Sequence, residues 1–322
     1  MRLILSSVLL GLAWFTATNA AASAAAWLLG RSVIRRPGPS SAGLLLAVRL
    51  LPAVASSVFV GAVFLPAHWR LEPVESDESF GVVLAVIAAT GLLLVLRAFG
   101  RAVRAGVAGR RLAAVARRAA SLSDGVAVGS RIRVVDGLPG VSLLGIWRPR
   151  ILIGAETRGV LTPAELDLAI SHEVAHRRSK DNLKRFLIRC APDLFSWTHV
   201  ARELEDRWQA AAECEADAHA VRGDSCRAVL LASALVKVAR LGRAASASVV
   251  GPAAIASAFH VPTLLEMRVR RLVSGDAPSP AGARRLVWSA ATLSVGICAG
   301  VWLLGFSDML HSVTEAMVTY LP

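Results

Sequence analysis

Charged residues are scarce in this sequence, and long stretches contain almost none. Only 18% of the 322 residues are Asp, Glu, Lys or Arg, and 55% are hydrophobic, whereas roughly a quarter of the residues in a typical soluble domain are charged. Residues 3–30, 79–96 and 286–307 carry no Asp, Glu, Lys, Arg or His, and residues 42–66 are interrupted only by Arg49. Because about 20 apolar residues cross a bilayer as a helix, this pattern argues against a soluble protein and predicts four transmembrane helices.

Cysteine is also scarce, and its spacing excludes a disulfide framework. The four cysteines are Cys190, Cys214, Cys226 and Cys298, and no two of them have the C-x-x-C spacing that is typical of metal-binding loops. Three of them fall in the segment that we place in the reducing cytoplasm, where disulfides rarely persist. We therefore interpret the cysteines as buried or incidental thiols.

Acidic residues are outnumbered by basic ones, 23 to 36, which gives a formal net charge of +13. Seven arginines and no acid lie between residues 97 and 118, and three more arginines lie within 31–36, whereas residues 69–79 hold four acids and one arginine. Lys and Arg concentrate on the cytoplasmic side of membranes. We therefore predict that residues 97–285 are cytoplasmic and that both termini lie outside. The basicity indicates topology and contact with anionic lipid rather than nucleic-acid binding.

The first apolar run has a second interpretation. Residues 1–23 resemble a secretory signal, with a short apolar core followed by small residues. The run continues through Trp27, Leu28 and Leu29, however, and cleavage would leave the three arginines that follow on the wrong side of the membrane. We expect the first span to be retained.

These features divide the chain into six predicted segments. They are three transmembrane helices with short loops (1–97), a basic helix at the membrane surface (98–120), a globular domain (121–274), a linker (275–285), the fourth transmembrane helix (286–307) and a short outer tail (308–322). The globular segment is long enough to bury a core of its own. The linker is rich in Gly, Pro and Ser.

The globular segment changes from strand to helix periodicity along its length. Residues 131–135, 141–146 and 150–154 are short apolar runs separated by Gly/Pro turns, which predicts strands. Thr162 is followed by Pro163 and, three residues on, by a glutamate, so a capped helix should begin there. Helices are predicted over 162–179, 199–221 and 227–241. A small sheet packed on helices is the expected result.

A His-Glu-x-x-His motif lies on the helix that begins after Thr162. Residues four apart on a helix differ by about 40° in direction, so His172 and His176 point the same way, as two zinc ligands must. Glu173 lies about 100° from His172, where it can reach an activated water without binding the metal. The motif predicts one zinc ion per chain and Glu173 as the general base for peptide hydrolysis. The alternative is a set of solvated side chains on an amphipathic helix.

A catalytic zinc ion needs a third protein ligand and one open position. Glu213 and Asp217 are four residues apart and share a helix face. We predict that Glu213 binds the metal and that Asp217 orients a ligand imidazole by a hydrogen bond. Glu215 and His219 lie on the other face of this helix and stay an alternative pair, and a purely structural role stays open for Asp217.

Four short motifs resemble one known family. They are the run 172–182, which begins His-Glu-Val-Ala-His, the segment Trp-Arg-Pro-Arg-Ile-Leu-Ile at 147–153, Pro-Asp-Leu-Phe-Ser-Trp at 192–197, and Glu-Cys-Glu-Ala-Asp at 213–217. Together they resemble the BlaR–MecR type of membrane zinc metallopeptidase, over about residues 130–240.

The resemblance implies a cytoplasmic gluzincin-type domain with Glu213 as third zinc ligand, so that the fold class is α+β. It also implies the bacterial plasma membrane as the location and a cytosolic protein substrate, a transcriptional repressor that is cut after an extracellular signal. Antibiotic-sensing members carry a penicillin-binding domain after the last span, but only about 15 residues follow Ser307, too few for a domain. We expect the signal to enter through the spans, through the acidic loop at residues 69–79, or from a membrane sensor partner. A homo-oligomer is a further candidate assembly of this chain.

Three other functions fit parts of the sequence. A quality-control protease of the HtpX type has a similar motif, but such proteases place spans between the histidine helix and the third ligand, where residues 177–212 are rich in charge here. A non-catalytic membrane transducer with a structural zinc site would not need Glu173. A membrane-anchored DNA-binding regulator needs a recognition helix, and no helix-turn-helix pattern occurs, so we expect no direct nucleic-acid partner.

Two further groups of residues flank the motif. Three apolar residues are predicted to form an edge strand that aligns the substrate backbone over the metal, with an ordinary core strand as the alternative: Ile151, Leu152 and Ile153. Asp181 and Asn182 follow the predicted end of the histidine helix, so we expect them to cap a helix or form a loop.

Arg49, inside the second span, is expected to snorkel or to face a helix partner.

Overall fold

The computed structural model describes residues 2–35, 41–71, 81–122, 132–136, 138, 140–245, 262–275 and 306–320. They divide into two compact units. The first contains the described parts of Met1–Arg101, Ile188–Trp208 and Gly282–Pro322, and the second those of Ala102–Leu187 and Gln209–Ala281. The predicted fourth span, 286–307, lies outside the described residues except for its last two, and the six segment boundaries stay predictions.

The first unit is built from apolar helices. They are α1 (Arg2–Arg35), α2 (Ala42–Val58), a π-helical segment (Phe59–Phe64), α3 (Leu65–Leu71) and the beginning of α4 (Val82–Leu122). Three stretches are long and apolar enough to cross a membrane, namely Ile4–Arg35, Ala42–Arg70 and Val82–Arg111. One helix, α4, covers both the third apolar stretch and the segment predicted to lie at the membrane surface, and no proline interrupts it.

Arg49 lies inside α2 and is only 5% exposed, but acidic partners within the first unit compensate its charge. Its Nη1 is 2.9 Å from Asp193 Oδ2 and its Nε is 2.8 Å from Glu205 Oε1. The hydroxyl of Ser23, on α1, donates to Asp193 Oδ1 at 2.9 Å. Because a buried cation is tolerated only with such partners, Arg49 does not snorkel, and it holds the segment 192–197 against the apolar helices.

The remaining elements combine a small sheet with helices, which confirms the α+β class. In chain order they are β1 (Ile132–Val135), β2 (Val141–Leu144), β3 (Arg150–Gly154), α5 (Ala155–Val160), α6 (Pro163–Ser179), α7 (Asp181–Cys190), α8 (His199–Val221), α9 (Ser225–Ala245), α10 (Pro262–Ser274) and α11 (Phe306–Tyr320). The sheet and α6 lie in the second unit.

The strand order corrects one prediction. The order is β1-β3-β2, with β3 parallel to β1 and antiparallel to β2. The prediction that Ile151, Leu152 and Ile153 form an edge strand is therefore wrong, because both sides of β3 are already paired. Ile151 and Ile153 are at most 2% exposed and pack in a core with Ala169 of α6. The uninterrupted apolar character of these residues reflects a central strand.

The helix that carries the histidine motif is held at both ends. The predicted capping box is confirmed, since Thr162 and Glu165 exchange side chain-to-backbone hydrogen bonds. The Glu165 carboxylate also accepts hydrogen bonds from Ser233 at 2.7 Å and Lys237 at 2.8 Å, both on α9. Burial alone would raise the pKa of Glu165, but these hydrogen bonds, that from Lys237 first, lower it to about 2. Lys180 ends the helix in a left-handed conformation, with φ of 56°.

Candidate metal centre

Three side chains with metal-binding atoms converge inside the second unit, and we call them the ligand triad: His172, His176 and Glu213. The two histidines come from α6 and the glutamate from α8, and none is more than 4% exposed. Glu213 Oε2 lies 3.4 Å from His172 Nε2, and Glu213 Oε1 lies 3.6 Å from His176 Nε2. The two Nε2 atoms are 3.0 Å apart. One atom from each residue thus lies within 4.8 Å of the others, close enough to share one metal ion.

A carboxylate lies beside each imidazole of the ligand triad. His172 Nδ1 is 2.9 Å from Asp217 Oδ1, and His176 Nδ1 is 2.8 Å from Asp181 Oδ2. Because a carboxylate accepts hydrogen bonds, His176 Nδ1 carries the proton in its hydrogen bond to Asp181, and His176 Nε2 faces His172. Two unprotonated Nε2 atoms 3.0 Å apart would repel each other unless a proton or a cation lies near both. The arrangement is that of paired metal ligands.

The surrounding charges also favour a cation at the ligand triad. Burial opposes protonation of His176, but the Glu213 carboxylate and the hydrogen bond to Asp181 raise its pKa to about 10. Burial also opposes protonation of His172, whose pKa is nevertheless raised by Asp217 and Glu213. Glu213 Oε1 is buried and has no hydrogen-bond partner among the described residues. Two imidazoles and a carboxylate are ligands that zinc accepts, so the residues present fit the ion.

Arg268, on α10, enters the same centre and was not predicted from the sequence. Its guanidinium is 3% exposed and binds both oxygens of Asp217, with Nη2–Oδ1 at 2.6 Å and Nε–Oδ2 at 2.8 Å. Its Nη1 is 3.0 Å from Glu213 Oε2. Burial would raise the pKa of Asp217, but Arg268 and then His172 lower it to about 2. Both acids therefore stay ionised beside the histidines, since the pKa of Glu213 is also held well below its ordinary value, against burial, by His176 and Arg268.

Some of the other predicted site residues lie at the metal centre, and others lie away from it. Glu173 is completely buried on α6, next to His172 in the chain, and its charge helps to raise the pKa of His176. The structure brings Glu213 and Asp217 to the histidines, whereas His219 is exposed and Glu215 is half-buried on the same helix. The strand residues 151–153 lie in the core rather than at a free edge.

Asp181 has a different place from the one that we expected. It does stand at the start of α7, as a helix-capping residue would, but its carboxylate points back to His176 and is 4% exposed. The signal in the sequence is a weak one, an acid five residues after the second histidine. No spacing rule finds Arg268, which lies 96 residues after His172.

The apolar helices and the buried ligand triad are the features expected of a membrane-associated peptidase. A family model described as BlaR1 peptidase M56 matches residues 73–260, more than half of the chain. The chain belongs to this family, which confirms the resemblance to the BlaR–MecR type. No curated protein matches it. Arg268 lies beyond the matched residues.

Proposed function

We propose that this chain is an integral-membrane zinc endopeptidase that hydrolyses a peptide bond in a cytosolic protein. The observation that carries the proposal is the ligand triad, whose three members lie within 4.8 Å of one another at their binding atoms. Two carboxylates support the role, since one lies beside the Nδ1 atom of each histidine, as is usual for histidine ligands of zinc. Membership of a peptidase family supports the reaction type.

Each residue of the centre has its own role in the proposed hydrolysis. Zinc bound to the ligand triad would supply Lewis-acid activation of a water molecule and of the scissile carbonyl group. Glu173 is the base that accepts the proton of the attacking water and passes it to the leaving amine. Asp181 holds the Nδ1–H group of His176, so that its Nε2 stays available, and Asp217 lies 2.9 Å from His172 Nδ1. Arg268 positions Asp217 and Glu213 by ion pairs.

The buried charges around the ligand triad favour a divalent ion. Three buried carboxylates lie beside the two histidines, those of Asp181, Glu213 and Asp217. Arg268 pairs with Glu213 and Asp217, and Lys184 pairs with Asp181. Uncompensated buried charge is costly, so we assign one Zn²⁺ per chain to this centre.

Replacing the proposed base tests the mechanism. Glu173→Gln should keep one zinc per chain, measured by elemental analysis, and lose cleavage by at least about 10²-fold. Glu156→Gln, at an exposed position of α5, is the matched control and should keep both properties. A Glu173→Gln enzyme that cuts as fast as wild type would show that the assigned base is wrong. Absence of zinc from the purified wild type would remove the metal assignment.

We further propose a signalling role, with a transcriptional repressor as substrate, a membrane sensor as partner and the peptidase in the cytoplasm. The basic residues between the spans and the family resemblance support it. New protein N-termini should be compared in cells that express wild type or Glu173→Gln. One cytosolic regulator cut only by wild type would support signalling. Many cuts in damaged membrane proteins would support the HtpX-type quality-control alternative, and no difference with zinc bound would support the non-catalytic transducer.

Site-directed labelling tests the proposed topology, in which residues 97–285 are cytoplasmic and both termini lie outside. In a Cys226→Ser background, which removes the exposed thiol of the described chain, a cysteine at Ser76 should react with an impermeant maleimide added to intact cells. A cysteine at Gly223 should react only after the cells are opened. The reverse pattern would place the peptidase outside the membrane.

A further inference from the structure

A groove of about 690 Å³ lies in the second unit, and His176 of the ligand triad is among its lining residues. Its volume is in the range of sites that bind a small ligand or a short peptide segment. Five basic side chains line it, and no acidic side chain does: Arg148, Arg150, Arg177, Arg178 and Lys180. We call it the basic groove.

The charges of the basic groove are not neutralised by the described part of the protein. No acidic side chain of the described residues forms an ion pair with any of the five, and four of them are exposed. Other basic residues of the unit differ, since Lys184, Lys237 and Arg268 each bind a carboxylate within 3.0 Å. Clustered unpaired charge of one sign in a concave surface creates a local potential that attracts the opposite charge.

The walls of the basic groove are held in place. Asn182, at the start of α7, donates from Nδ2 to the carbonyls of Leu143 and Gly145, both at 2.9 Å. These bonds fix the turn between β2 and β3, which carries Trp147 and Arg148 into the groove. The indole of Trp147 is 75% exposed. A turn held in place, with an exposed apolar ring beside clustered cations, suits an extended peptide, because the backbone of the turn does not have to be ordered on binding.

We propose that the basic groove binds the polypeptide substrate beside the scissile bond and selects segments that contain Asp or Glu. The inference rests on the proposed peptidase function and adds the substrate class to it. Anionic lipid headgroups would also attract these cations. The presence of His176 among the lining residues favours the substrate, since it places the groove next to the ligand triad.

Peptide binding by the inactive full-length enzyme tests this inference without requiring cleavage. The Glu173→Gln chain in neutral detergent is titrated with a fluorescent peptide that carries central Asp and Glu residues, and with its Asn/Gln counterpart. The acidic peptide should bind about tenfold more tightly, a difference of about 1.4 kcal/mol, and high salt should reduce the preference. Equal affinity for the two peptides would overturn the proposal.

Substitutions in the basic groove locate the effect. Arg150→Gln with Arg178→Gln should remove most of the preference, whereas Arg158→Gln, at an exposed position of α5 outside the groove, should keep it. If the double variant keeps the preference but co-purifies with less phosphatidylglycerol than wild type, the groove binds lipid and the substrate assignment is wrong. Failure of both peptides to bind would also remove it. The peptidase function is judged separately, by zinc content and by cleavage that depends on Glu173.

Discussion

Arg268 and Asp217 form a two-pronged ion pair inside the metal centre, with N–O distances of 2.6 and 2.8 Å. The same Asp217 Oδ1 is 2.9 Å from His172 Nδ1, so the guanidinium binds the carboxylate that lies beside one member of the ligand triad. Arg268 also touches Glu213 directly. Two of the three proposed ligands therefore depend on one residue of α10.

Removing this guanidinium should damage both the fold and metal binding. Arg268→Gln leaves two buried carboxylates without their cation, and breaking a buried pair in this way costs about 3–5 kcal/mol. We expect a lower unfolding temperature and less zinc per chain, measured by thermal unfolding and elemental analysis. Arg268→Lys should restore only part of the unfolding temperature and of the zinc content, because an ammonium group cannot bind two carboxylate oxygens at once as the planar guanidinium does.

Arg270 is the control for this prediction. It lies on the same helix and pairs with Glu266 at 3.0 Å, but both side chains are at least 75% exposed. Arg270→Gln should therefore change stability by less than about 1 kcal/mol. If Arg268→Gln bound zinc and unfolded like Arg270→Gln, the positioning role of Arg268 would be wrong.

The two carboxylates beside the histidines should each influence zinc affinity. Asp181→Asn and Asp217→Asn keep the size of the side chain but weaken the hydrogen bond to Nδ1. Losses of about 10- to 100-fold in affinity are typical when such a partner is changed. Competition with a fluorescent zinc chelator measures the effect. Asp167→Asn, at an exposed position of α6, should bind zinc like wild type, and equal affinity in all three variants would show that neither carboxylate orients a ligand.

The ion pair between Glu165 and Lys237 should make stability depend on pH in the acid range. The pKa of Glu165 is about 2 in the fold, below its ordinary value of 4.5. Its ionised form therefore stabilises the protein above about pH 4.5, and this contribution is lost as the pH falls towards 2. Glu165→Gln should unfold at a lower temperature than wild type at neutral pH, by an amount that corresponds to about 1–2 kcal/mol.

The difference in unfolding temperature should shrink between about pH 4.5 and pH 2, where wild type also loses the charge. Glu156→Gln is again the matched control, since Glu156 is exposed and should contribute no such pH-dependent difference. A gap between wild type and Glu165→Gln that stays constant over this pH range would contradict the proposed contribution of the ionised carboxylate.

Local sequence patterns predicted the helices and strands that carry the site, but they did not predict which strands pair. The capping box at Thr162 and the helix with His172 and His176 depend on residues within a few positions of one another, so the sequence alone sufficed. The strand at 150–154 was also predicted, but its neighbours were not. Which strands pair is decided by contacts distant in the chain, and here β1 and β2 occupy both sides of β3.

The amino-acid sequence by itself determined three apolar helices, the helix that presents both histidines on one face, and the shared face of Glu213 and Asp217, because helical periodicity relates near neighbours. Only the tertiary structure decided that Asp181 turns back to His176 and that Arg268 enters the centre from 96 residues beyond His172. Buried charges need partners wherever the chain can bring them. The fold therefore places charged side chains beside the ligand triad that no local spacing in the sequence indicates.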